Sequence, residues 1–125
     1  MGYRISDRHS SLAYLSDHGP AAEMGPGPDG FGPYHEAAMD LCRGVDLLIH
    51  DAQHTASELP ARASFGHSAA DYPVALARLS GAARVLLFHH DPDRTDSEVA
   101  AIERSLQGHD DLIVDAAREG VTISL

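Results

Sequence analysis

Three short apolar segments of the chain each run directly into polar side chains that can carry chemistry. Residues 12–15 lead into Ser16-Asp17-His18, residues 47–49 into His50-Asp51, and residues 85–88 into His89-His90-Asp91. A buried strand fixes the positions of the side chains at its end, so polar groups there are often placed for chemistry rather than for packing. Carboxylate and neutral imidazole are common ligands of zinc, iron and manganese, so the pattern predicts a metal site.

The spacing of apolar positions also predicts alternating strands and helices. The first part of the chain predicts a hairpin of residues 3–5 and 11–15, a Gly/Pro-rich loop over 19–33, a helix over 34–43 that Gly44 stops, and a strand over 45–49. The middle part predicts irregular chain over 52–66, a helix that a capping box at 68–71 opens, and a strand over 84–88. The last part predicts a helix that a capping box at 95–98 opens and Gly108 stops, a short helix over 111–119, and a final strand over 121–125. Strands that alternate with helices indicate an α/β layered architecture.

Length, charge and cysteine content narrow the class of protein. A chain of 125 residues fits a single domain over 1–125. Its formal net charge of −10 opposes nonspecific binding of nucleic acid, which needs clustered Lys and Arg. The lone Cys42, an apolar helix position, cannot form an intrachain disulfide, and no signal segment or bilayer-length apolar run is present. We therefore expect a cytoplasmic protein without a membrane partner.

The residue pattern leaves two interpretations open for each candidate site residue. Asp17 is either a turn aspartate or a metal-bridging carboxylate. His50 is either a core histidine or a site residue, and Asp51 is either a cap or a site residue. Strand alternation sends adjacent side chains to opposite faces, so at most one of His89 and His90 is expected to bind metal directly. The other histidines are expected to be exposed: His9, His18, His35, His54 and His109.

Two further motifs are weaker evidence for a binding or catalytic site. Residues 25–30 match G-x-G-x-x-G, but the two prolines remove backbone donors and block the helix that a dinucleotide site requires. Gly66-His67-Ser68 places an imidazole just before a helix start, where an anionic oxygen can bind, although exposed loop histidines are common. Ser64, Ser68 and Cys42 lack the local sequence of a catalytic nucleophile.

Four of these segments, in this order, resemble the C-terminal half of a metallo-β-lactamase-fold hydrolase of the ribonuclease Z and phosphodiesterase branch: residues 14–17, residues 46–52, Gly66-His67-Ser68, and residues 85–89. The resemblance implies an α/β fold, half of an αββα sandwich, with helices packed on a mixed sheet. It also implies that Asp17 bridges two metal ions and that a late strand-end histidine, His89 rather than His90, completes one ion's coordination.

The resemblance implies catalytic roles as well. The segment His50-Asp51-Ala52 is similar to a His-Glu-Ala-Thr segment of that branch, and His67-Ser68-Ala69 is similar to a His-Ser-Thr segment. By this analogy Asp51 orients His67, and His67 contacts the scissile phosphate or protonates the leaving oxygen. The implied cofactor is a divalent metal, zinc in the first place, with two ions in a complete site and manganese or iron as alternatives.

The chain lacks the branch's His-x-His-x-Asp-His motif, which belongs to the N-terminal half of the fold. We therefore expect that it supplies only part of a dinuclear site, binds metal weakly alone, and associates with itself or with an N-terminal half. The acidic composition favours a small phosphodiester substrate over a long nucleic acid. The alternative function is a non-catalytic α/β interaction module that associates through a sheet edge or an exposed apolar face.

Overall fold

The computed structural model describes residues 1–20, 25, 27, 30, 32–108 and 110–125. Its elements are β1 (Gly2–Ser6), β2 (Ser11–Leu15), α1 (Glu36–Cys42), β3 (Leu47–Asp51), α2 (Leu59–Arg62), a 3₁₀ turn (Ala63–Phe65), α3 (Asp71–Ser80), β4 (Arg84–Phe88), α4 (Asp96–Leu106) and β5 (Ile113–Ala116). Among the described residues, no helix has both the length and the apolar character needed to cross a membrane.

The five strands form one mixed sheet in the order β1-β2-β3-β4-β5. The hairpin of β1 and β2 is antiparallel, as predicted, and β2 to β5 run parallel to one another. Parallel strands require helical crossovers between them. Here α1 and α3 provide the first two crossovers and α4 the third, so the α/β class with a mixed sheet is confirmed.

One face of the sheet is covered by helices. Alternate strand residues on this face join helix residues in a single core. The strand members are Ala13, Leu15, Leu48, Val85, Leu87 and Val114, and the helix members include Ala38, Cys42, Val74, Leu76 and Ala77. Burial raises the pKa of the Cys42 thiol to about 12, as fits an inert core cysteine.

The opposite face of the sheet is partly exposed and apolar. Its register places Tyr3 beside Tyr14 and Ile5 beside Leu12, and Ile49 beside Leu86. We call this surface the open face; its exposed or partly exposed apolar members are Tyr3, Ile5, Leu12, Tyr14, Ile49, Leu86, Phe88 and Ile113. Ile5 is 61% exposed and Tyr3 is 52% exposed, so the apolar residues of this face near β1 are largely in contact with solvent.

Several local predictions differ from the structure. The capping box at 95–98 is confirmed at the start of α4. The one at 68–71 is wrong, because α3 begins after Ala70 with no side-chain cap, and the Ser68 hydroxyl instead donates to the His18 carbonyl. Residues 52–66 are not wholly irregular, since they contain α2 and the 3₁₀ turn.

The predicted helix over 111–119 and strand over 121–125 are also wrong. Residues 113–116 form β5, which pairs with β4 and buries Val114 completely. The free energy gained by pairing with β4 and burying Val114 outweighs the helix propensity of residues 115–119. Residues 121–125 form no strand. The loop over 19–33, with the G-x-G-x-x-G match, lies largely outside the described residues, as does His109.

Candidate metal centre

The parallel course of β2, β3 and β4 brings three chemically active residues to one edge of the sheet. The carboxyl ends of parallel strands lie at the same edge. Asp17 follows the end of β2, Asp51 is the last residue of β3, and His89 follows the last residue of β4. The loop before α3 adds His67 to the same edge.

Two of these residues have left-handed backbone conformations. Asp17 has φ of +45° and His89 has φ of +58°, and they alone among the described residues other than glycine have positive φ. Such a conformation costs roughly 1–3 kcal/mol and persists only where surrounding contacts enforce it. Both strained residues carry side chains of the proposed site, which favours a functional placement over a packing role.

Asp51 is the hub of the cluster. Its Oδ2 atom lies 2.7 Å from Nδ1 of His67 and 2.9 Å from Nδ1 of His89. Its Oδ1 atom accepts the backbone N–H groups of Ser68 at 3.0 Å and Gln53 at 3.2 Å. The Asp51 side chain is fully buried, so these four interactions compensate for the loss of water.

The Asp51 carboxyl is held in its charged form. Burial alone would raise its pKa, but hydrogen bonds from His67, Ser68, His89 and Gln53 together outweigh burial and lower the pKa below its usual value. An ionised carboxylate only accepts hydrogen bonds. The Nδ1 atoms of His67 and His89 must therefore both carry protons, which leaves both Nε2 atoms free to face the site.

Asp17 lies on the other side of His89. Its Oδ1 atom is 3.5 Å from Nε2 of His89. One ligand atom from each of Asp17, Asp51, His67 and His89 lies within 4.8 Å of the others. Two carboxylates and two imidazoles suit zinc or another first-row divalent ion. The buried carboxylate behind the imidazoles matches the arrangement that orients metal-binding histidines in proteins.

His50 and His90 lie apart from this four-residue group. His50 is fully buried on the helix-covered face, with Nδ1 2.8 Å from the Asp51 carbonyl oxygen and Nε2 2.9 Å from Nδ1 of His18. Neither ring nitrogen of His90 has a hydrogen-bond partner, and burial lowers the pKa of that ring. As strand alternation predicts, Asp51 faces the four-residue group and its neighbour His50 does not. Likewise His89 faces it and its neighbour His90 does not.

Three histidines expected to be exposed are not. His54 is 1% exposed, with its ring 6.0 Å from that of His67, and burial lowers its pKa. His18 and His35 are half-buried, with Nε2 of His18 3.3 Å from Nδ1 of His35. His18 lies just after β2, His54 just after β3 and His35 just before α1. These positions could have indicated burial, because those chain ends converge on one edge of the sheet.

The basic side chains near the cluster are neutralised locally. Arg62 lies 2.8 Å from the Asp91 carboxylate, and Arg94 lies 2.9 Å from that of Glu58. These groups line a shallow polar pocket beside the cluster. The surroundings therefore present paired charges rather than a strong positive patch, consistent with the net charge of −10.

The chain is similar in sequence to ribonuclease Z proteins of two organisms. No family model matches the chain. It is 40% identical over 57 residues to ribonuclease Z of Thermoplasma volcanium, covering 46% of this chain and 19% of that protein. It is 34% identical over 61 residues to ribonuclease Z of Thermoplasma acidophilum, covering 49% of this chain and 20% of that protein. The chain thus spans about a fifth of the length of these relatives in the matched regions.

Solved structures match nearly the whole chain. Human tRNase Z, short form, superposes with a TM-score of 0.67 at 21% identity, covering 98% of this chain and 36% of that one. The metallo-β-lactamase-fold protein YhfI of Bacillus subtilis gives a TM-score of 0.66 at 19% identity, with 96% and 42% covered. A diphosphatase of the PhnP family gives 0.61 at 18% identity, with 100% and 42% covered.

These matches confirm the predicted fold and the predicted resemblance. The chain has part of the metallo-β-lactamase fold and is similar in sequence to ribonuclease Z. It spans well under half of each structural neighbour.

Proposed function

We propose that the chain is the part of a metal-dependent hydrolase of the metallo-β-lactamase type that cleaves phosphodiester bonds, supplying one side of a dinuclear active site. The observation that carries this proposal is the convergence of Asp17, Asp51, His67 and His89 within 4.8 Å at one edge of the sheet. The similarity to ribonuclease Z supports the same reaction class.

The proposed metal ligands are Asp17 and His89. Nε2 of His89 is directed toward Asp17, because Nδ1 of the same ring is bound to Asp51. Zinc is the proposed ion, with manganese or iron as alternatives, and a bound divalent ion would supply Lewis-acid activation of water and charge stabilisation at phosphorus. Catalytic zinc usually has three protein ligands, so two are too few and further ligands must come from outside this set.

His67 is the proposed catalytic residue that contacts the scissile phosphate or protonates the leaving oxygen. The ionised Asp51 carboxylate holds Nδ1 of His67 at 2.7 Å, which directs Nε2 away from Asp51, where it can reach a bound phosphate. Asp51 is shorter than the glutamate implied by the family resemblance. The structure nevertheless brings it within hydrogen-bond distance of both His67 and His89.

A small phosphodiester is the proposed substrate class. The chain carries ten more acidic than basic side chains, and the two arginines beside the cluster are already paired with carboxylates. A long nucleic acid is bound through many unpaired basic groups, and the described surface beside the site offers few.

A second candidate function is an interaction module, and the open face favours it. Tyr3, Ile5 and Phe88 on this face are 52%, 61% and 36% exposed. An apolar sheet face is covered in folded proteins by another layer. The proposed occupant is the second sheet of the same sandwich, supplied by an N-terminal half or, in its absence, by a second copy of this chain.

Turnover of bis(p-nitrophenyl) phosphate in the presence of zinc tests the proposed function. The 125-residue chain alone is expected to show little or no turnover. A form extended or complemented by a segment carrying the His-x-His-x-Asp-His motif is expected to release nitrophenol at a metal-dependent rate. His9→Ala, which removes an exposed histidine in the β1–β2 turn, is the matched control and should leave the rate unchanged.

Robust turnover by the chain alone would contradict the expectation of an incomplete site. No metal-dependent turnover of any phosphodiester by the complemented form would contradict the proposed reaction and leave the interaction module as the function that the structure supports.

A further inference from the structure

Three imidazoles form a hydrogen-bonded row behind the metal centre. Nδ1 of His50 lies 2.8 Å from the Asp51 carbonyl oxygen, and Nε2 of His50 lies 2.9 Å from Nδ1 of His18. Nε2 of His18 in turn lies 3.3 Å from Nδ1 of His35. We call His50, His18 and His35 the histidine column. Tyr72 packs against the first two rings, at centroid distances of 5.6 and 5.9 Å.

The column has a defined hydrogen-bond direction. A backbone carbonyl only accepts, so Nδ1 of His50 must donate and its Nε2 must accept when the ring is neutral. His18 therefore donates from Nδ1 and accepts at Nε2, and His35 donates from Nδ1. The contacts of 2.9 Å and 3.3 Å between ring nitrogens of neighbouring residues admit this arrangement of protons along the row.

This geometry does not suit a proton relay. The row ends at the amide carbonyl of Asp51, which has no proton to exchange and is not a base at neutral pH. A relay would have to end on a carboxylate or a reacting group. The column therefore acts through the positions that it fixes.

Of the two proposed metal ligands, Asp17 has the more exposed side chain. Its side chain is 69% exposed and lies 3.5 Å from His89, so side-chain packing does little to fix it. Its strained φ of +45° must be enforced by neighbouring residues. The next residue, His18, is bound at two points: its ring contacts His50, and its carbonyl accepts the Ser68 hydroxyl at 2.6 Å.

We propose that His18, bound through the histidine column to the backbone of Asp51 and through its carbonyl to Ser68, is a positioning residue that holds the Asp17 carboxylate beside His89. The proposal rests on the proposed function in one respect, namely that Asp17 binds metal. In this arrangement His18 links Asp17, which is exposed, to Asp51, which is buried and fixed by four hydrogen bonds.

Zinc titration of the 125-residue chain, followed through the ring signals of His89 by NMR, tests the proposal and remains usable when binding is weak. His18→Ala is expected to weaken zinc binding by about 10- to 100-fold, the usual effect of losing a group that orients a ligand. His18→Asn should restore most of the affinity, because the Asn amide nitrogen occupies the place of Nδ1 and can still donate to His50. His9→Ala is the control for loss of an exposed histidine.

A direct spectroscopic test needs no metal. Nitrogen-15 chemical shifts of the wild-type imidazoles at neutral pH should show His50, His18 and His35 each protonated at Nδ1. A proton on Nε2 of His18 would overturn the proposal whether or not the variants fold.

Asp17→Ala distinguishes failure of the proposed metal site from failure of the positioning role of His18. If Asp17→Ala leaves zinc binding unchanged, the proposed metal role of Asp17 fails, and the positioning proposal fails with it. If Asp17→Ala weakens binding while His18→Ala, folded by its urea midpoint, binds like the wild type, the positioning proposal alone is overturned.

Discussion

Oδ2 of Asp51 lies 2.7 Å from Nδ1 of His67, and this pair defines the chemistry available at the sheet edge. The carboxylate is fully buried and comes from the end of a strand, whereas His67 comes from a loop and is partly exposed. A buried acceptor thus holds the His67 imidazole by one nitrogen and leaves its other nitrogen directed away from Asp51. The same oxygen accepts from His89 at 2.9 Å, so one atom orients both imidazoles.

Asp51→Asn is predicted to disrupt both imidazoles at once. The Asn oxygen can keep the bonds from Ser68 and Gln53, but its NH₂ group then faces two ring N–H groups at the place of Oδ2. Unpaired buried donors cost about 1–3 kcal/mol each, so stability should fall by a similar amount and zinc affinity should fall as His89 reorients. Urea denaturation and zinc titration measure the two effects. Asp111→Asn, at an exposed position, should change neither.

His67→Ala is predicted to separate catalysis from metal binding. In the complemented form, Asp17→Ala and His89→Ala should reduce bound metal, because each removes a proposed ligand. His67→Ala should leave most metal bound and lower the rate by roughly 10²- to 10⁴-fold, the usual effect of removing a general acid or base. Metal content by atomic emission and turnover of a phosphodiester are the measurements. Equal metal loss in all three variants would show the assigned roles to be wrong.

Stability is predicted to fall as the pH drops from about 7 to about 4. Burial lowers the pKa of His50 from 6.5 to about 4, so the unfolded chain binds protons below about pH 6.5 that the folded chain rejects. A shift of this size corresponds to roughly 3 kcal/mol, and His18, shifted chiefly by burial, adds to it in the same direction. Urea midpoints across this range give the slope.

His50→Gln should flatten that slope without abolishing it, because burial also lowers the pKa of His54 and His90. A wild-type stability that stays constant down to pH 4 would show that the buried imidazoles are accessible to protons in the folded chain.

Leu86→Glu is predicted to reduce self-association. Leu86 lies on the open face beside Ile49, where a charge opposes burial against a second sheet. Analytical ultracentrifugation should show the wild type associating with rising concentration and the variant remaining closer to monomeric. Leu79→Glu on α3 is the matched control, since Leu79 is an exposed apolar residue, at 58%, in a helix. Equal effects of both variants, or a monomeric wild type, would argue against the open face as the association surface.

The sequence predicted those features that local pattern determines. Strand β4 matches its predicted bounds of 84–88, because a continuous apolar run between Gly81 and two histidines leaves little freedom. The strand-end pattern predicted a metal site that includes Asp17 and His89, whereas the place of His67 beside them was implied by the family resemblance. The capping box of α4 was readable because Thr95 and Glu98 interact within one turn.

The features that the sequence did not predict depend on contacts distant along the chain. Strand β5 exists because it pairs with β4. Its sequence, Ile-Val-Asp-Ala, leads directly into Ala-Arg-Glu, which favours a helix. His18 and His54 stand in loops by local pattern, and only the packing of α3 and its preceding loop against the sheet edge buries them. Residue type and loop position are therefore poor guides to burial beside a converging sheet edge.

Anomalous diffraction from crystals of the chain grown with zinc tests the central claim most directly. A zinc peak is predicted about 2.0–2.2 Å from a carboxylate oxygen of Asp17 and from Nε2 of His89, the usual zinc–ligand distances, with Asp51 still bound to Nδ1 of both imidazoles. Zinc bound only at other histidines, such as His9 or His35, or a crystal saturated with zinc but without a peak between Asp17 and His89, would contradict the account.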